Sequence, residues 1–119
     1  MIKKRALSER HRNALEHAVL SIKKSQLSNF VNDVILFGSC ARGEQTYESD
    51  IDLLLILQEE FLTVKEKLRI PFRLIKCEVN GEELDDPDID LKILIGDEWK
   101  TSQMTFYKNI RRDGISIWH

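Results

Sequence analysis

Apolar residues recur along the chain with three different spacings. Ala14, Leu15, Ala18, Val19 and Ile22 return every three or four positions and so share one face of a helix. Ser8 stands before that helix as its N-cap, since a serine hydroxyl can accept a backbone N–H that the first turn leaves free. Lys23, Lys24 and Ser25 end it in a polar patch that suits the negative end of the helix dipole. Leu27 and Phe30 are expected to reach the core where the chain turns toward its first strand. His11 and His17 lie six residues apart, so they do not share a helical face as paired metal ligands would, and both are expected on the solvated surface.

A second spacing is the short continuous run. Val34 to Phe37 is apolar throughout and meets Gly38-Ser39, which predicts a buried strand over 33–37 ending in a tight turn. Residues 39–44 follow as a short helical turn closed by Gly43, and Gln45 to Glu48 as a polar loop. The next strand spans Asp50 to Leu57, with Asp50, Asp52, Leu54 and Ile56 on one face and Ile51, Leu53, Leu55 and Leu57 on the other. Apolar residues on both faces mean a strand covered on both sides, which leaves the aspartates at the one end that water and ligand can reach.

Helical spacing returns over 63–79 in Val64, Leu68, Phe72, Ile75 and Val79, with Pro71 expected to bend the helix. Asn80-Gly81 marks a turn and Glu82 to Pro87 an acidic loop. Strict alternation over Asp88 to Ile95 predicts a third strand. Ile89, Leu91, Ile93 and Ile95 face the core there, and Asp90 and Lys92 the opposite side. Gly96-Asp97 breaks that strand, Phe106 and Ile110 belong to a short helix ended at Gly114, and Ile115 to Trp118 form a short strand or tail. Phe106, Tyr107 and Trp118 read as core or interface aromatics. The pattern predicts one α/β (α+β) domain, a small mixed sheet with helices packed against it, and 119 residues suit a single domain.

Composition narrows the function classes. An apolar share of 42% and a charged share of 32% are those of a soluble globular protein with a core of its own. A net charge of −2 supplies no field for gripping long DNA or RNA. Cys40 and Cys77 have neither pairing nor metal spacing and are expected to be buried thiols of a cytoplasmic protein. The basic start, Met1 to Arg5, leads into polar residues, so no signal peptide is expected. The longest apolar run, Leu53 to Leu57, is too short to cross a membrane.

Candidate chemistry sits where the first two strands meet. Asp50 and Asp52 point to one face and repel each other unless a cation lies between them, and hard carboxylate oxygens suit Mg²⁺. Gly38 allows close backbone approach, and the helical turn after it has free N–H groups for an anion. A phosphate cradle beside such a carboxylate pair is equipment for phosphoryl-type transfer. Ser49 is placed to cap or orient the aspartate loop.

Gly38-Ser39-Cys40-Ala41-Arg42-Gly43 followed by Asp50-Ile51-Asp52-Leu53 resembles the signature of the nucleotidyltransferases of the DNA polymerase beta superfamily, above all the small "minimal" members of bacteria and archaea. Phe106 to Ile115 resembles their C-terminal segment, with Asp113 where those proteins often carry glutamate. The resemblance implies a nucleotidyltransferase fold and a third carboxylate. Asp90 is the expected one and Asp88, of the same parity, the alternative. It implies two Mg²⁺ ions held by Asp50, Asp52 and Asp90, with ATP as the expected substrate. An acceptor hydroxyl would attack the α-phosphorus in line, with pyrophosphate leaving. Gly38 and Ser39 would contact the β- and γ-phosphates. Arg42 would reach phosphate or form a structural ion pair, and Lys92 would steady the triphosphate or pair with Asp90.

Minimal members commonly work with a separate helical protein of the HEPN type, often as the antitoxin that adenylylates a toxin tyrosine. Such a partner is expected here, and a homo-oligomer stays open. One alternative is an antitoxin of the same fold that acts by binding alone. Another is a small-molecule transferase like the aminoglycoside nucleotidyltransferases, ranked lower because no acceptor domain is evident.

Overall fold

The computed structural model describes residues 7–68 and 72–118. Ser8 caps helix α1 (Glu9–Lys24), its hydroxyl accepting the His11 N–H at 3.0 Å. The buried face of α1 is His11, Ala14, Ala18 and Ile22. A turn of 3-10 helix at Ser28–Phe30 then delivers strand β1 (Val31–Phe37), with Leu27 fully buried and Phe30 packed against the core. β1 starts two residues before the expected strand over 33–37, with Val31 pairing Leu57 and a register shift between Val31 and Asp33.

Gly38 follows with φ +72 and opens the single helical turn α2 (Gly38–Arg42), which Gly43 closes in the left-handed region at φ +71. Strand β2 (Ile51–Leu57) comes next, with every residue but Asp52 buried. Two helices, α3 (Phe61–Leu68) and α4 (Phe72–Glu78), stand where one bent helix over 63–79 was expected, and the bend at Pro71 lies outside the described residues. β3 (Ile89–Ile95), α5 (Thr105–Asp113) and the two-residue β4 (Ile115–Ser116) complete the chain.

The sheet has the order β3-β2-β1-β4. β1 is antiparallel to β2 and to β4, whereas β2 and β3 are parallel. A parallel pair needs a crossover, and α3 and α4 supply it. One face of the sheet, with Val34, Leu36, Leu53, Leu55, Leu57, Ile89 and Leu91, meets α1, α3 and α4 in the main core. The other face, with Ile35, Leu54 and Ile56, meets Ile110 of α5 in a smaller cluster edged by Phe37, Leu94, Trp99, Phe106 and Tyr107. The mixed α+β domain expected from the pattern is the one observed.

Two expectations of burial also fail. His11 is not a surface histidine: it is 1% exposed. It lies one turn before Ala14, two before Ala18 and three before Ile22, so the packed face of α1 carries it inward. Cys77 is not a buried thiol but an exposed one, because Ile75 and Val79 take the core-facing side of that segment and Cys77 falls between them. Cys40 is buried and His17 exposed, as read. The basic start, Met1 to Arg5, lies outside the described residues. Among the described residues no helix is long and apolar enough to cross a membrane.

Candidate active site

The acidic residues gather where β1 ends and where β2 and β3 begin. Asp52 pairs with Phe37 across the antiparallel ladder and with Asp90 across the parallel one. Neighbouring strands run about 4.8 Å apart, so Asp52 and Asp90 are side-by-side carboxylates on one face. The Asp52 carboxyl is pushed above its ordinary value, first by burial and then by the Asp90 charge. Lys92 pulls it down, Asp50 adds a smaller upward push, and Arg42 a smaller downward one. Every charged candidate read from the sequence except Asp88 is therefore felt at this one carboxylate.

Gly38 explains why the turn before α2 takes that residue. A Cβ there would sit 2.3 Å from Asp52 Oδ2, and the positive φ disfavours any side chain. Backbone and carboxylate are thus in direct contact. The Cys40 thiol is raised by burial first and by Asp52 next, with neighbouring Ser39 lowering it. Cys40 Sγ in turn lies 3.5 Å from the Asp50 carbonyl oxygen.

Asp50 precedes β2 and is exposed. Its segment is held on three sides. The Ile51 N–H donates to the Asp88 carbonyl at 2.8 Å, the Cys40 thiol meets the Asp50 carbonyl, and His11 Nε2 lies 2.9 Å from the Ser49 carbonyl. Ser49 folds the loop before it, its hydroxyl accepting the Thr46 N–H at 2.8 Å. Arg10, next to His11, donates to the Tyr47 carbonyl at 2.7 Å and to the Asp85 carbonyl, and lies over the Tyr47 ring. The start of α1 therefore ties the loop before β2 to the loop before β3. Neither Arg10 nor His11 was singled out for a role in the site from the sequence, although the phase of His11 with Ala14 and Ala18 was the available signal.

Two cations have protein partners. Lys92 Nζ is 3.0 Å from Asp90 Oδ2, and Arg42 Nε is 2.9 Å from Glu44 Oε2. Both pairs are about half exposed, so each is weak and exchangeable. Of the readings left open for these residues, ion pairing is the arrangement observed. Among the described residues no three carboxylate, imidazole or thiol groups converge as they stand on a single cation position. Asp50, Asp52 and Asp90 lie at one sheet end, would offer a divalent cation oxygen donors alone, and repel one another at Asp52, a repulsion such a cation would relieve. The donor chemistry fits Mg²⁺.

Residues 19–113 match the family model described as "Nucleotidyltransferase domain". The chain belongs to this family. It is 49% identical over 51 residues to "Putative protein adenylyltransferase MJ0141" of Methanocaldococcus jannaschii, a match covering 40% of this chain and 50% of that one. It is 32% identical over 95 residues to "Putative protein adenylyltransferase MJ0604" of the same organism, covering 76% of this chain and 82% of that one. The chain thus matches half the length of the first relative. In structure it resembles a crystal structure titled as that of a putative nucleotidyltransferase from Sulfolobus solfataricus. The TM-score is 0.60 at 22% identity, over 99% of this chain and 91% of that one, a likeness of fold. The acidic sheet end of this nucleotidyltransferase is its candidate active site.

Proposed function

We propose that this nucleotidyltransferase transfers AMP from ATP to a hydroxyl on a protein acceptor, in a Mg²⁺-dependent reaction. The observation that carries the reading is the register of Asp52 with Asp90, beside the side-chain-free turn at Gly38. The names of the two archaeal relatives support a protein acceptor and the adenylyl group. The net charge of −2 weighs against a long nucleic acid.

In this reading Asp50, Asp52 and Asp90 hold two Mg²⁺ ions. When bound, the ions offset the charge that grows on the attacking and leaving oxygens. Gly38 and Ser39 receive the β- and γ-phosphates through backbone N–H groups and the serine hydroxyl. Asp90 takes the proton of the acceptor hydroxyl, and Lys92, already paired with Asp90, orients that side chain. Arg42 can exchange Glu44 for phosphate because both members of the pair are solvent-accessible. Asp90 is preferred to Asp88 because it shares the pairing level of Asp52 and perturbs its carboxyl. The acceptor expected from the family resemblance is a tyrosine on a HEPN-type helical toxin, with this chain as the antitoxin.

The test is transfer of label from [α-³²P]ATP to a helical protein recovered with this chain from its native host. Expected are Mg²⁺-dependent labelling of the partner, release of unlabelled pyrophosphate and loss of both with Asp52→Asn. Label that persists in Asp52→Asn, or that moves only from the γ-position, overturns the reading. A second reading is a module that neutralises its partner by contact alone. Partner binding without label transfer would select it.

A further inference from the structure

A buried histidine outside the acidic cluster joins the start of α1 to the segment that enters Asp50. His11 is 1% exposed. Its Nε2 lies 2.9 Å from the Ser49 carbonyl oxygen, which can only accept, so Nε2 carries the proton. Its Nδ1 lies 2.6 Å from the Ser8 hydroxyl, which also accepts the His11 backbone N–H. Both ring nitrogens are thus satisfied.

The Ser49 carbonyl belongs to the peptide group whose nitrogen is that of Asp50. Holding that oxygen sets the peptide plane from which Asp50 begins. Other grips on the segment are the Thr46–Ser49 turn, in which the Ser49 hydroxyl accepts the Thr46 N–H and the Ser49 N–H donates to the Thr46 carbonyl, the Cys40 thiol at the Asp50 carbonyl and the Asp88 carbonyl at the Ile51 N–H. The thiol contact, at 3.5 Å, is weak. His11 is thus the strong side-chain anchor on the N-terminal side of Asp50. Ala14 and Ala18 pack the same face of α1 into the main core, so the anchor is set on the buried face of that helix.

We infer that His11 is a positioning residue for the active site: anchored in the core through α1, it fixes the Ser49–Asp50 peptide and thereby the direction of the Asp50 carboxylate. The inference rests on the transferase reading for what Asp50 does, but not for what His11 holds. A histidine that served only the helix start would act through Nδ1 and Ser8, leaving Nε2 without consequence.

The two amide analogues of histidine separate these roles. The Asn amide nitrogen overlays Nδ1 and cannot reach Ser49. The Gln amide nitrogen overlays Nε2 and can donate to it. Both place an amide in the same buried site, so both lose comparable stability. Hydrogen exchange read by mass spectrometry should therefore show peptides covering 46–51 exchanging at least about tenfold faster in His11→Asn than in wild type, with His11→Gln within about threefold. Mn²⁺ titration with α,β-methylene-ATP, a probe that cannot be turned over, should give about tenfold weaker Mn²⁺ binding in His11→Asn and near wild-type binding in His11→Gln.

Unchanged exchange over 46–51 in His11→Asn, or equal loss in both variants, overturns the inference. Faster exchange with unaltered Mn²⁺ affinity overturns its link to the carboxylate. A wild-type protein that binds no Mn²⁺ with the analogue sinks the metal-dependent transfer reading instead, while the exchange data still decide what His11 holds.

Discussion

The two faces of the sheet use the same strands and do opposite work. The face under α1, α3 and α4 is a continuous apolar layer, and Leu53, Leu55 and Leu57 on it are fully buried. The face under α5 starts the same way, with Leu54, Ile56 and Ile35, then changes character within one residue pair, at Asp52 and Asp90. Half-covered carboxylates there are held against burial and against each other. The first face stabilises the strands; the second places charge where the first cannot be disturbed by it. A small domain can carry an energetically unfavourable cluster because the opposing layer holds the register.

Asp52→Asn should sharpen this contrast most. It should lower AMP transfer about 1,000-fold, equivalent to roughly 4 kcal/mol of barrier, yet raise the melting temperature by about 2 °C. The sign follows from the upward shift. A carboxyl whose folded-state value lies above its ordinary value of 3.8 is destabilising once ionised, so its cost is present at neutral pH. The stability gain of the variant should shrink as pH falls through the raised value and vanish below the ordinary value, where Asp52 is protonated in both states. Calorimetry at pH 7 and at pH 3 checks this, and a variant less stable at pH 7 would break the contrast.

Leu55→Ala and Ile110→Ala test the two cores. Leu55, fully buried in the main core, should cost about 3–4 kcal/mol when truncated. Ile110 anchors the smaller cluster at 3% exposure and should cost roughly 2 kcal/mol, since α5 can settle toward the sheet. Urea denaturation measures both, and equal losses would mean the second face is a full structural core. Gly38→Ala comes next, at about 2 kcal/mol, from the positive φ and the contact with Asp52 Oδ2. Transfer should fall with it, and pairing it with Asp52→Gly should restore part of the stability by removing the clash.

The main core could be read from the sequence because periodicity alone specifies it. Leu53, Leu55 and Leu57 alternate, and Ala14, Ala18 and Ile22 recur at helical spacing. The site motif was equally legible, since Gly38, Asp50 and Asp52 are neighbours in the chain. Less legible were features set by tertiary contact. His11 was read as surface because a histidine is usually solvated, although its phase on α1 matched the core positions. Cys77 was read as buried from residue type, although Ile75 and Val79 already claimed the core side. The stretch 63–79 is described as α3 and α4, and the chain between them lies outside the described residues. The Lys92–Asp90 and Arg42–Glu44 pairs had been left between pairing and phosphate contact, a choice that spacing cannot make.

Lys92→Met is the smallest perturbation and separates two roles of one cation. The pair with Asp90 is about half exposed, so its loss should change stability by no more than about 0.5 kcal/mol. Lys92 lowers the Asp52 carboxyl, which burial and Asp90 raise; without it the carboxyl must rise further. Protons would then compete longer with Mg²⁺ as pH increases. The acid side of the pH–rate profile should move to higher pH, and the Mg²⁺ concentration for half-maximal transfer should rise about threefold at pH 6 and less at pH 8. A lysine whose main role is to hold the triphosphate gives a different result: the KM for ATP rises at every pH while the acid limb stays in place. Only the first pattern makes Lys92 the counterweight that lets two carboxylates share the sheet end opposite the apolar layer.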